Sequence, residues 1–135
     1  MEDLLPEVDM TQIPYTIAEL LREHKGGDAL VLDLRPMNTW TDFFVIATAT
    51  SDTHLDGLER HIKELCTEQG IAILRRSRKP ATSKATTLSG ASVSGVQEDE
   101  WRIIDLGPTV IHLMSSRARE FYDLERLYSM TQMNL

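Results

Sequence analysis

Little in this chain lends itself to crosslinking, membrane insertion or bond-making. It holds one cysteine, Cys66, so no internal disulfide can form and a reducing setting is expected. No stretch approaches the roughly 20 consecutive apolar residues that a helix needs to cross a bilayer. The opening residues, Met1 to Pro6, carry no basic stretch and no apolar core, which argues against a secretory signal and for a cytoplasmic protein. Glycine is sparse, and Gly26 and Gly27 follow a predicted helix and precede a predicted strand. A phosphate cradle needs the opposite order, glycines leading into a helix.

Catalytic patterns are missing too. Two carboxylates on one strand face would have to stand two residues apart. Asp33 is followed at that distance by Arg35 and Asp105 by Gly107, while Asp42 and Asp52 sit at opposite ends of one predicted strand. His24, His54, His61, His112 and Cys66 show no close metal-ligand spacing, and Cys66 reads as a small core residue. Ser89 and Ser94 neighbour glycines in a polar stretch, not in a strand-to-helix elbow. No catalytic residue, cofactor or metal site is therefore expected.

What the chain does have is charge, unevenly placed. The net charge is −7, from 14 basic and 21 acidic residues. Arg75, Arg76, Arg78, Lys79 and Lys84 cluster with no acid among them. Without those five, 9 basic residues face 21 acids, a net of −12. Such a body repels free nucleic acid and attracts a basic partner, though acidity also simply keeps a protein soluble. The basic cluster could touch RNA phosphates, yet it lacks aromatics to stack on bases and reads first as a solvated loop.

The 135 residues suit one domain. Residues 1–11 read as a flexible arm, 12–130 as a single α/β domain and 131–135 as a tail. A first helix is expected from Gln12 to Lys25, with Ile13, Ile17, Leu20, Leu21 and His24 on one face. Pro14 is tolerated in its first turn, and Gly26-Gly27 end it. The apolar run Ala29–Leu34 reads as a strand buried on both faces. Arg35 to Trp40 reads as a loop, and Asp42–Ala49 as a second strand, antiparallel to the first because the link is short. A second helix follows, capped by Ser51 or Asp52. It presents Leu55, Leu58, Ile62 and Leu65 to the core and stops at Gly70. Ile71–Leu74 is a third strand. The stretch at about 77–97 is polar and small-residued, and is expected to be a mobile loop. Strands Trp101–Leu106 and Thr109–Met114 form a hairpin, with Gly107 free to take positive φ. A last helix over Arg117–Ser129 carries Phe121, Leu124 and Tyr128 as its buried stripe. The fold class is thus α/β, a mixed sheet of about five strands with helices packed on it.

Trp101 reads equally as a core aromatic or as an interface anchor, since Trp and Arg are enriched at binding hot spots. His112 reads first as a structural side chain, on the same face as Val110 and Met114.

Trp101, Asp105, Gly107, Val110, His112, Arg119, Tyr122, Leu124, Glu125, Leu127 and Tyr128, with the earlier Leu32-Asp33 and Thr41–Ser51 segments, resemble the signatures of the ribosomal silencing factor family, RsfS or Iojap-like. The likeness covers about residues 12–129. Pro108 stands where the family commonly has an acid, Ala49 where it has glycine and Tyr128 where it has Trp, and the 77–94 stretch is longer than usual. The resemblance implies a nucleotidyltransferase-like fold without catalytic carboxylates. It implies binding to the large ribosomal subunit through its ribosomal protein number fourteen, which sterically blocks the small subunit and represses translation under nutrient limitation. It also implies a homodimer in some members when free. The interface expected from it comprises Trp101, Asp105, Leu106, His112, Met114 and Arg117, with a minor rRNA contact through the basic loop and no membrane. The competing expectation is a nucleotidyltransferase-like enzyme with an unrecognised active site.

Overall fold

The computed structural model describes residues 9–37, 39–77, 100–124 and 126. The expected arm up to residue 8, nearly all of the expected loop at 77–97 and the expected tail at 131–135 lie outside the described residues.

Among the described residues the α-helices and strands follow in the order α1 (Ile13–Glu23), β1 (Gly27–Asp33), β2 (Phe43–Ala49), α2 (Asp52–Gln69), β3 (Arg75–Ser77), β4 (Trp101–Asp105), β5 (Thr109–Ser115) and α3 (Ser116–Tyr122), with a 3-10 turn at Arg35–Met37 between β1 and β2. The five strands form one sheet in the order β1-β2-β5-β4-β3. β2 and β5 run parallel, and every other pair is antiparallel. The expected mixed α/β sheet is therefore present, with β2 and β5 at its centre.

Local chemistry explains most element boundaries. Pro14 lies in the first turn of α1, where its missing N–H breaks no bond. The end of α1 differs from expectation: the left-handed residue is Lys25, at φ 69°, and not a glycine. Gly26 is needed there for space, since a Cβ would stand 2.9 Å from the Leu21 carbonyl oxygen. Ser51 caps α2 by accepting from the His54 backbone N–H, and Gly70 closes it at φ 70°. These are the stop and start signals the residues announce.

Three elements depart from the sequence reading. β1 is an edge strand, and so only half-buried along much of its length. Its apolar run is matched to β2 on one side only, because β2 rather than β1 pairs with β5. β3 begins at Arg75, after the expected Ile71–Leu74. Ile71 donates its N–H to Cys66 as part of the helix cap, and Ile71 and Ile73 pack on the core from a connector. α3 is short: Asp123 takes the left-handed conformation at φ 48° and ends it. Phe121 is 54% exposed, contrary to its place in the expected stripe, and Ala118 and Arg119 are turned inward instead. Leu124 does pack inward, while Tyr128 lies outside the described residues.

The sheet separates two apolar layers. On one face, Ile13, Ile17 and Leu21 of α1 and Leu55, Leu58, Ile62 and Cys66 of α2 close over Val45, Ala47, Ile104, Ile111 and Leu113. On the other, Leu32, Phe44, Ile46, Trp101, Val110 and Met114 meet Ala118, Tyr122 and Leu124. Alternation along each strand puts consecutive residues on opposite faces, which is how β4 and β5 serve both layers.

Candidate functional site

The second sheet face carries a row of aromatic and imidazole rings. Trp40, in the β1–β2 connection, meets Phe44 edge-on at 6.4 Å between centroids. Phe44 meets His112 at 4.5 Å. His112 neighbours Trp101 at 5.8 Å, Trp101 neighbours Tyr122 at 4.4 Å, and Tyr122 neighbours Phe121 at 4.9 Å. The row is buried in its middle and open at both ends, with Trp40 70% and Phe121 54% exposed.

Its centre is a hydrogen-bonded pair. Trp101 Nε1–H donates to His112 Nδ1 at 3.1 Å. Indole nitrogen can only donate, so Nδ1 must be the acceptor and the neutral ring carries its proton on Nε2. That Nε2–H is buried and finds no acceptor among the described residues. Burial pushes the His112 pKa down from 6.5 to about 4: a charged ring there would lose its hydration without gaining a counter-ion. The ring is therefore neutral near pH 7.

The six expected interface residues do not form one accessible patch. Trp101, His112 and Met114 share the second face but are buried, at 4%, 6% and 0% exposure. Leu106 is buried against the opposite, helix-covered layer. Asp105 is mostly engaged: Oδ1 accepts from the Gly107 backbone N–H at 2.8 Å, which shapes the hairpin turn, and Oδ2 lies 3.7 Å from Arg75. Gly107 has φ 97°, as the turn requires. Arg117 is exposed and pairs with Glu100. Glu100 also accepts from Ser115 Oγ, the hydroxyl that caps α3 by accepting from the Ala118 N–H.

Sequence reading missed two features. Trp40 was placed in a loop and given no role, although an exposed Trp beside apolar strand residues is a signal in itself. The second is Arg119, 8% exposed. Its guanidinium donates to the carbonyls of Gly27 and Asp28 and to Thr48 Oγ1. It clamps α3 to the start of β1 from 92 positions away in the chain, a distance no local pattern reveals.

The remaining polar groups hold the fold. Asp33 accepts from the Arg35 backbone and guanidinium, which holds its carboxyl below the usual range. Asp33 on β1 and Asp105 on β4 are three strand positions apart, roughly 14 Å at the usual strand spacing, too far to bridge two metal ions about 4 Å apart. Arg102, nearly buried on β4, reaches Asp56 and Glu59 of α2. Burial pushes the Cys66 thiol up, as befits a core residue. Among the described residues no cluster of three or more His, Cys, Asp or Glu is placed to hold a metal ion, and no helix is long and apolar enough to cross a membrane.

These features define an α/β domain whose acids serve turns and ion pairs and whose accessible aromatics open to solvent. Residues 9–134 match the family model described as ribosomal silencing factor during starvation, RsfS. The chain belongs to that family, whose members are ribosome-associated regulators and not enzymes. It is 32% identical over 112 residues to the ribosomal silencing factor RsfS of Treponema pallidum, covering 83% of this chain and 86% of that one. Against RsfS of Bacillus subtilis the identity is 26% over 78% of this chain and 75% of the other. A mouse relative, mitochondrial assembly of ribosomal large subunit protein 1, is 28% identical over 84% of this chain, which spans 44% of that longer protein. A crystal structure of a Chromobacterium violaceum protein superposes with a TM-score of 0.71 at 23% identity, covering 90% of this chain and 88% of that one. At that identity the match speaks for the fold alone.

Proposed function

We propose that the protein binds the large ribosomal subunit through its ribosomal protein number fourteen and, by occupying the joining surface, blocks association with the small subunit, repressing translation when nutrients are limiting. The observation that carries the docking part is the ring row on the second sheet face. It is anchored by the Trp101–His112 bond and ends in exposed Trp40 and Phe121. Rigid aromatics held at a surface are the side chains that contribute most to protein interfaces.

The docking surface on this reading is the rim of the row. Trp40 and Phe121 make apolar contact, Arg117 and the partly exposed Asp105 make polar contact, and Trp101, His112 and Met114 act from beneath by holding the rings in place. Leu106 supports the opposite layer and contributes only through stability. The net charge of −7 speeds encounter with a basic ribosomal protein and disfavours bare rRNA; any rRNA contact is then a minor one through the basic loop. The chain acts in the cytoplasm, and a homodimer of the free form hides the same rim.

Steric blocking asks for no chemistry beyond binding. The decisive measurement is sedimentation of the protein with purified large subunits, followed by addition of small subunits. Co-pelleting and loss of joined ribosomes is the expected outcome. Failure to pellet at low salt, or joining at the normal yield with the protein bound, would overturn the reading.

A further inference from the structure

The helix-covered side of the molecule carries its own surface feature. α1 and α2 pack antiparallel: His24 stacks on His61 with centroids 3.5 Å apart at one end of the seam, and Leu20 and Leu65 line the same groove further along. This groove, of about 410 Å³, is lined by Tyr15, Thr16, Glu19, Leu20, Glu23 and Leu65. Its floor is apolar, since Leu20 and Leu65 are only partly buried as they pack on the core beneath. Its α1 wall carries two carboxylates, Glu19 and Glu23, and no lysine or arginine lines it among the described residues.

Tyr15 gives the groove a fixed anchor. Its ring stands edge-on to the buried Phe43 at 6.1 Å between centroids, yet 49% of the residue is exposed. An aromatic already held in one orientation loses little freedom when a partner covers it. Arg22 stands at the edge of the groove: it donates to the Ala29 carbonyl and pairs with Glu19 at 3.3 Å, an exposed pair of the kind that contributes little and is readily exchanged for another cation. The seam along α1 is about 16 Å long at the ordinary helical rise for 11 residues, the length of three helical turns of an incoming segment.

An apolar floor beside a wall with two carboxylates selects its occupant by charge. A second copy of this chain set groove to groove would bring the same two carboxylates against each other and be disfavoured at this place. We propose that the α1–α2 groove is a second docking surface, distinct from the aromatic rim, that takes a basic amphipathic segment of a large-subunit ribosomal protein. The proposal rests on the ribosome-binding reading above. The segment lays apolar side chains on Leu20, Leu65 and Tyr15, and sets Lys or Arg against Glu19 and Glu23, the helix-in-groove mode of recognition.

The test uses the full chain and purified large subunits. Glu19→Lys combined with Glu23→Lys lies on an exposed helix face and is expected to leave the thermal midpoint nearly unchanged. It should weaken co-sedimentation at least tenfold, a size ordinary for reversed charges at an interface, and flatten the salt dependence of what binding remains. Tyr15→Ala should weaken it too. A photo-crosslinking residue at Thr16 should join the chain to a ribosomal protein. Parent protein that pellets while the double variant pellets equally well removes this inference and leaves the ribosome reading standing. A crosslink to rRNA alone, or none, also overturns it. Parent protein that fails to pellet removes both readings together.

Discussion

The two faces of the sheet are built from the same strands but by different chemistry. The helix-covered face is closed mainly by aliphatic side chains: Ile17, Leu21, Leu58 and Ile62 are 0–1% exposed, and its nearly buried cation, Arg102, reaches out to Asp56 and Glu59 of α2. The other face mixes aliphatics with rings that carry polar atoms, and those atoms must be answered. Trp101 and His112 answer each other, Arg119 answers three acceptors on β1 and β2, and His112 Nε2 is left over. Aliphatic packing stabilises without specifying much beyond volume. A layer with polar atoms fixes orientation as well, because each unmatched donor costs free energy.

The largest test of this contrast is Trp101→Ala. It opens a cavity and strips His112 Nδ1 of its donor, so a loss of roughly 3–5 kcal/mol is expected. Trp101→Phe should still cost about 1–2 kcal/mol for the lost hydrogen bond and altered fit, whereas Leu58→Met on the aliphatic face should cost under about 1.5 kcal/mol. Denaturant unfolding measures all three. Equal, small losses at Trp101 and Leu58 would mean that the polar pair adds nothing.

The second test is pH. Unfolded, a histidine titrates near 6.5, and folded, His112 titrates near 4. Between those values the unfolded chain binds a proton that the folded chain refuses. Stability is therefore full above pH 6.5 and falls as pH drops toward 4, by roughly 3 kcal/mol at most. His112→Gln should flatten this part of the profile even if its stability at neutral pH is lower. An unchanged slope would show that His112 is not the group responsible.

Next comes a separation of binding from stability. Trp40→Ala should weaken large-subunit binding by roughly 2 kcal/mol, about 30-fold, if the rim is the docking surface, and should move stability by no more than about 0.5 kcal/mol because the side chain is exposed. Sedimentation and thermal melting on the same sample decide it. Unimpaired binding would move the docking surface away from the rim. The smallest effect expected is that of Arg117→Ala on stability, a shift too small for thermal melting to resolve, since its pair with Glu100 is open to water on the arginine side.

Much of the architecture was legible residue by residue. Pro14, Ser51 and Gly70 mark helix boundaries through local geometry, and the core stripe of α2 repeats at helical spacing. The short β1–β2 link and the Gly107 turn both dictate antiparallel pairs. The candidate site was less legible. Trp101 and His112 were singled out, but whether each faced solvent depended on what covered it. Leu106 was grouped with them although strand alternation puts it on the opposite face. Phe121 was placed in a buried stripe and Trp40 in a plain loop because exposure cannot be counted from spacing.

By itself, then, the sequence determined the boundaries of every helix and strand but β3 and α3 to within two residues, that the sheet is mixed, and which signatures tie the chain to the RsfS family. These are local or pattern-level properties, set by hydrogen bonding within a few residues and by periodicity. Only the tertiary structure decided that β1 is an edge, that Arg119 locks α3 to β1, and that the Trp101–His112 pair lies inside while Trp40 stands outside. Each of those depends on strand order and on contacts between residues far apart in the chain, and neighbours in space are what set burial, protonation and access.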